Sequence, residues 1–409
     1  MASITEAIIK KCRVARSVCC GVLLGAPTKT RRGRTRHFFI PALILVLSPL
    51  SLVHSPLHAA GKSSVPLERK WVVKLKQNSW MNRRPFQFAT PFVDGDKVFV
   101  GVHREIFYAV DVKKGKKLWT FKTQAPIHAQ ARTSGEAVFF ADTKGMVYAL
   151  NKENGTPIWA SKLEGEVMSA PLIHGDRIYI VTLSKQLAAL DAAKGTVLWE
   201  TSYGSRESGF TVRGSADPVF LNGNILVGYS DGSLAAHDAA TGALRWTKQL
   251  GDRAQSFHDV DSTILLAGPS TSSGLAYVAS ADGKFFALDP RTGQSVWQVP
   301  VGSVNDAVLQ DGFLYVTAGG VTYCFRGDNG QTVWEQALEE VDESSSPVVY
   351  GKWLAVVATK GKIYFLDRET GDIKRSWFVK GGSYSDPVLQ GNRLFLLSNA
   401  SRLYSFEFK

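Results

Sequence analysis

Several residues in this chain have the types and spacing that chemistry uses. Gly228-Tyr-Ser230-Asp-Gly232 fits the G-x-S-x-G pattern in which serine attacks a carbonyl carbon. That chemistry requires the serine on a sharp turn from a strand into a helix. Here the residues after Gly232 read as another strand, and the corresponding turns elsewhere in the chain lack serine, so the pattern predicts a structural turn. His103, His128, His174, His237 and His258 never fall at metal-ligand spacing and are expected to be surface or hydrogen-bonded core residues. Of the 4 cysteines, Cys12, Cys19 and Cys20 precede residue 61, which leaves Cys324 alone beyond it. A single thiol allows no disulfide framework and no cysteine-rich zinc site. No metal or organic cofactor is therefore expected.

What must position these residues is a unit of about 40 residues that recurs through the chain. Ala109-Val-Asp111 leads to Gly115 and Trp119, and Ala149-Leu-Asn151 leads to Gly155 and Trp159. The same spacing returns at Ala189, Ala236 and Ala287, ending in Trp199, Trp246 and Trp297. A sixth copy has Cys324 at the alanine position, with Gly330 and Trp334, so Cys324 reads as a small buried residue. In the seventh, Gly371 is kept but Trp377 stands two positions late.

Each residue type has a mechanical reason. Asp or Asn ends a strand and bonds the turn backbone, and Gly supplies the positive φ that reverses the chain. Trp fills the wedge between neighbouring sheets, and Ala keeps the adjacent layer thin. The front half of the unit carries a proline before an apolar run, at Pro91, Pro171, Pro218, Pro347 and Pro387, which suits the start of an inner strand.

Four strands per unit follow, and the fold class is all-β: an eight-bladed β-propeller of four-stranded antiparallel blades. The last copy stops before any outer strand, while Lys70-Trp71-Val-Val-Lys-Leu75 stands unattached ahead of the first proline motif. This N-terminal strand is expected to complete the last blade and close the ring, leaving no open edge around the circle.

The formal charge of +12 is concentrated at the N-terminus, where nine basic residues precede residue 61 against Glu6 alone. The remaining +4 is expected to be spread without a basic stripe, which argues against nucleic-acid binding. After the basic run, Phe38 to Val53 is apolar, shorter than a spanning helix, broken by Pro41 and Pro49, and followed by Ala59-Ala60. Residues 1–60 thus read as a signal segment for export, and 61–409 as one propeller domain.

The repeat resembles the quinoprotein propeller repeat, whose enzyme members bind pyrroloquinoline quinone. Those enzymes usually carry a vicinal Cys-Cys that the propeller part of this chain lacks. The resemblance sharpens at Phe210-Thr-Val212-Arg213-Gly214, His258-Asp259-Val-Asp261-Ser-Thr and Gly302-Ser-Val304-Asn-Asp306. With the repeat, these segments resemble the BamB family of the outer-membrane β-barrel assembly machinery.

The resemblance implies a periplasmic, non-catalytic scaffold associated with the outer membrane, whose partners are the POTRA domains of the central barrel subunit and nascent outer-membrane proteins. It carries partner contact onto Phe210, Val212, Arg213, Asp259 and Asp261. Independently of the family, both segments lie in long connections that leave an outer strand and return to the centre of the next blade, so they share one face of the disc. Family members carry a lipidated cysteine after the signal; here Gly61 follows Ala60. The alternatives of a soluble form, a retained apolar segment and a related propeller with another client stay open.

Overall fold

The computed structural model describes residues 65–75, 87–204, 216–252, 259–260, 262–267, 274–301, 304–339, 341 and 343–409. All of them belong to the compact unit Ser63–Lys409. They form eight four-stranded sheets, each an antiparallel meander running from an inner to an outer strand. Blade 1 is Phe92–Asp94, Lys97–Val102, Ile106–Asp111 and Lys117–Lys122, and blades 2 to 7 repeat it over 132–162, 172–202, 219–249, 265–300, 304–337 and 348–378. In blade 8, Val388–Gln390, Arg393–Ser398 and Arg402–Phe408 are completed by the N-terminal strand Leu67–Lys74. That strand pairs antiparallel with Arg402–Phe408, closing the ring as the sequence leads one to expect, and its register sets Trp71 opposite Ser405.

The middle strands of each blade are buried on both faces, and the outer strands alternate between half-buried and exposed residues. The apolar core lies in the seams between blades, and one row of side chains across each sheet explains how it packs. Antiparallel register sets Phe99 opposite Ala109 and Ala109 opposite Trp119. The small central residue lets the Trp ring lean over it to meet the aromatic beyond, at 5.9 Å between ring centroids. Phe139-Ala149-Trp159, Tyr179-Ala189-Trp199, Tyr277-Ala287-Trp297 and Phe395-Ser405-Trp71 repeat the arrangement. In Tyr315-Cys324-Trp334 the thiol takes the small position, 1% exposed. Burial pushes its pKa up to about 11.

The turn glycine belongs to the same device. Gly155 has φ +75°, and a Cβ there would lie 2.5 Å from the ring of Trp119 in the preceding blade. Turn and ring are thus docked across the seam, and Trp119 Nε1 donates to the carbonyl of Lys152 in that turn at 3.1 Å. The bonds from Trp71 to Val112, Trp159 to Ala192 and Trp334 to Arg368 follow suit.

The late tryptophan of blade 7 now has a cause. Its seam faces blade 8, whose outer strand arrives from the N-terminus with no turn and hence no glycine shelf for a Trp ring. Arg375 occupies the Trp position and donates from Nη1 to the carbonyl of Val65 at 2.7 Å. The row is inverted to Ala355-Phe365-Arg375, the bulk moving to the centre where the outer residue no longer leans over it. Trp377 instead packs edge-on against Phe406 of blade 8, 5.8 Å away.

Candidate functional site

A meander of four strands puts its first and third turns at one end and its middle turn at the other. The connection to the next blade leaves from the middle-turn end, so the disc has a turn face and a connection face. Most connections are short, such as 123–131 and 163–171. Those after blades 3 and 4 run over 203–218 and 250–264, and the one entering blade 1 over 75–91.

The first of the long pair departs from a rigid platform. Tyr203, just past the outer strand of blade 3, stacks on Tyr229 with ring centroids 4.6 Å apart, and its hydroxyl lies 2.7 Å from Thr247 Oγ1. His237 Nδ1 lies 3.1 Å from the carbonyl of Gly242, so this nitrogen carries the proton. Its Nε2 therefore accepts from the Tyr229 hydroxyl at 3.0 Å. Burial holds His237 below the usual imidazole range, in keeping with a neutral ring. Beside Gly204, where the chain leaves, Lys185 Nζ and Asp231 Oδ2 pair at 3.2 Å. Burial opposes the charge on Asp231, yet bonds from Ser233 and the Lys185 ammonium hold its carboxyl below the ordinary range.

The return of the second connection is stitched to the middle turns of blades 4 and 5. Val260 N donates to Tyr229 O at 3.1 Å, Ala281 N to Asp259 O at 2.8 Å, and Ala279 N to Ser262 Oγ at 2.8 Å. Val260 lies so close to Gly228 that a Cβ there would sit 2.5 Å from its side chain. The first glycine of the G-x-S-x-G pattern is therefore explained by packing and the second, Gly232 with φ +78°, by its turn. Strand Asn224–Gly228 passes by this turn into strand Ser233–Asp238, not into a helix. Ser230 is 5% exposed and makes no hydrogen bond among the described residues, where the nearby His237 spends its acceptor nitrogen on Tyr229.

Of the five residues assigned to partner contact, Asp259 is described and its side chain is buried, 1% exposed. Phe210, Val212, Arg213 and Asp261 lie outside the described residues, as does His258.

Sequence spacing missed one pair. His103 and His128 stand 25 positions apart, yet the middle turn of blade 1 and the connection to blade 2 share the connection face. His103 Nδ1 and His128 Nε2 meet at 3.3 Å. Desolvation lowers both pKa values, that of His128 to about 4, so the pair is neutral at pH 7. Among the described residues no group of three or more His, Cys, Asp or Glu side chains could hold a metal.

At the ring centre, where the inner strands of blades 2, 3 and 4 converge, a cavity of about 300 Å³ is lined by Pro171, Pro218, Leu172, Val219 and the pair Arg132 and Asp217. Arg132 Nη2 meets Asp217 Oδ2 at 3.3 Å, and Nη1 donates to Gln130 and to the carbonyl of Ala131. Asp217 Oδ1 accepts from Ala170 N at 2.6 Å. A tricarboxylate quinone would meet a guanidinium already neutralised and a carboxylate that repels it, so these residues do not fit pyrroloquinoline quinone.

Fold and repeat together define an eight-bladed propeller of the quinoprotein-repeat class. Within that class the family profile described as outer membrane protein assembly factor BamB matches residues 103–335 and 318–409, and the chain belongs to this family. Among curated relatives, BamB of Legionella pneumophila is 25% identical over 194 residues, covering 47% of this chain and 50% of the relative. BamB of Yersinia pestis is 28% identical over 151 residues, 36% of this chain and 37% of the relative. The chain thus spans half or less of the length of these relatives. The solved structure of BamB from Moraxella catarrhalis superposes with a TM-score of 0.73 at 22% identity, covering 84% of this chain and all of that one. A quinohemoprotein alcohol dehydrogenase from Pseudomonas putida reaches 0.67 at 12% identity, covering 84% and 76%. At these identities both likenesses speak for the fold.

Proposed function

We propose that this chain is a non-catalytic scaffold of outer-membrane β-barrel assembly, exported with residues 1–60 as its signal and working on the periplasmic side. Its partners are the POTRA domains of the central barrel subunit, and through them nascent outer-membrane proteins. The observation that carries the reading is the pair of long neighbouring connections, 203–218 and 250–264, leaving one face of the ring from adjacent blades.

Phe210 and Val212 supply the apolar centre of contact, and Arg213 and Asp261 its charged specificity. Asp259, buried, acts from beneath by holding the second connection against blade 5. Family membership supports the assembly role, and the paired Arg132 and Asp217 at the ring centre speak against the rival reading as a quinone-dependent oxidoreductase.

Capture of purified POTRA domains by the immobilised protein tests the site. Phe210→Glu and Arg213→Glu should each weaken capture at least tenfold, about 1.4 kcal/mol or more, with the thermal unfolding midpoint unchanged. Undiminished capture by both variants would remove the assignment.

A further inference from the structure

The seven turns that join third and outer strands are an internal control on what such a turn requires. All need Asp, Asn or Arg at the strand end and Gly on the Trp shelf; the four positions flanking that Gly vary. Blade 4 fills them with Ala240, Thr241, Ala243 and Leu244, and blade 6 with Asp328, Asn329, Gln331 and Thr332. Blade 1 fills all four with lysine: Lys113, Lys114, Lys116 and Lys117. The turn itself is closed without their side chains, by Gly115 N to Asp111 O at 2.9 Å, Asp111 N to Lys116 O at 2.8 Å and Lys114 N to Asp111 Oδ1 at 2.5 Å. Four like charges on one tight turn repel one another, and closing the turn does not require them.

Their charge is only partly met locally: the Lys113 ammonium helps to hold the Asp96 carboxyl below its ordinary range, and Asp111 stands in the turn itself. Among the described residues no carboxylate stands within ion-pair distance of Lys113, Lys114 or Lys116, and all three are exposed. The acids of this rim are engaged by other cations: Asp96 and Glu153 by Lys97, both at 2.8 Å, Glu407 by Lys70 at 3.0 Å and Glu68 by Lys409 at 3.0 Å. Lys117 lies over the Tyr108 ring at 5.3 Å. On the neighbouring outer strand Arg69 is exposed as well, and Leu118, 42% exposed, follows the lysines directly. The even spread of charge expected from the sequence therefore fails here.

We propose that this lysine turn is a docking surface for an anionic lipid membrane. A convex turn of long, mobile cations offers a shaped ligand no groove but suits a diffuse anionic plane, where each lysine adds about fivefold to the affinity. Leu118 is placed to dip into the interface beside them. The chain also enters the ring on the strand whose Trp71 lies under Gly115. The surface lies on the turn face, opposite the long connections, and does not depend on the partner reading.

Flotation of the full chain with vesicles of phosphatidylglycerol and phosphatidylcholine, against pure phosphatidylcholine, tests it. The variant Lys113→Ala, Lys114→Thr, Lys116→Gln, Lys117→Thr borrows residues that other turns of the chain carry, and should keep the same thermal unfolding midpoint. A second variant with Lys144, Lys162, Lys194 and Lys248 changed to Gln removes the same charge from blades 2 to 4. Binding to anionic vesicles should fall at least tenfold in the first and less than threefold in the second, and should weaken with salt. An equal loss in both variants, or no loss in the first, would overturn the proposal. So would turn-dependent capture of polyglutamate with no vesicle binding, which would point to an acidic protein partner.

Discussion

Seven blades of this ring and its seventh seam solve the same packing problem in opposite ways. In blades 1 to 6 and 8 a small residue lies under a tryptophan, and wherever the next blade supplies a turn its glycine receives the ring. In blade 7 the centre of the row is Phe365, the outer residue is Arg375, and the neighbour offers only the carbonyl of Val65. The difference teaches that the Trp and the Gly are one device shared between blades. When chain closure removes the glycine, the tryptophan goes with it, and the sheet redistributes its volume.

The largest expected effect breaks that device from the glycine side. Gly195 has φ +72°, and a Cβ would lie 2.5 Å from the Trp159 ring and 2.8 Å from Ser161 Oγ. Gly195→Val combines left-handed strain with that clash and should cost more than about 4 kcal/mol, seen as loss of folded protein in urea unfolding followed by circular dichroism. Truncation from the other side is milder: Trp119→Ala should cost about 3 kcal/mol in the same measurement. Arg375→Ala, which removes one hydrogen bond and a stacking contact with Trp377 at 4.8 Å, should cost about 1 kcal/mol. Equal costs for Trp119→Ala and Arg375→Ala would mean that the closing seam uses the same device after all. The smallest effect belongs to Cys324→Ala, which restores the residue most other copies carry and should change stability by less than about 1 kcal/mol. With its pKa raised to about 11, the native thiol should also resist alkylation at pH 8 in the folded protein and react in urea.

How far the sequence could be read follows from where its information is periodic. The blade number, the small residue accompanying the repeated Trp and the closure of the last blade by the N-terminal strand were legible because every blade repeats the constraint. The late Trp377 was visible as an irregularity, but its cause was not, since Arg375 answers to Val65, far away in sequence and close only after closure. The pattern around Gly228 was read as a structural turn, but the reason for that glycine, Val260 packing across from the next connection, has no local signature. The His103 and His128 pair was hidden for the same reason. The lysines of 113–117 were in plain view, yet only alignment of the seven turns on one another separates what the turn needs from what it adds. The candidate site rests on family resemblance and loop length, two signals that name residues without giving their geometry.

Hydrogen exchange of the full chain, with and without POTRA domains, tests the central claim most directly. Binding should slow exchange of the backbone amides within 203–216 and 250–262 while leaving 123–131 and the lysine turn 113–117 unchanged. Protection confined to other parts of the ring would contradict the account, as would a stable complex that protects neither long connection.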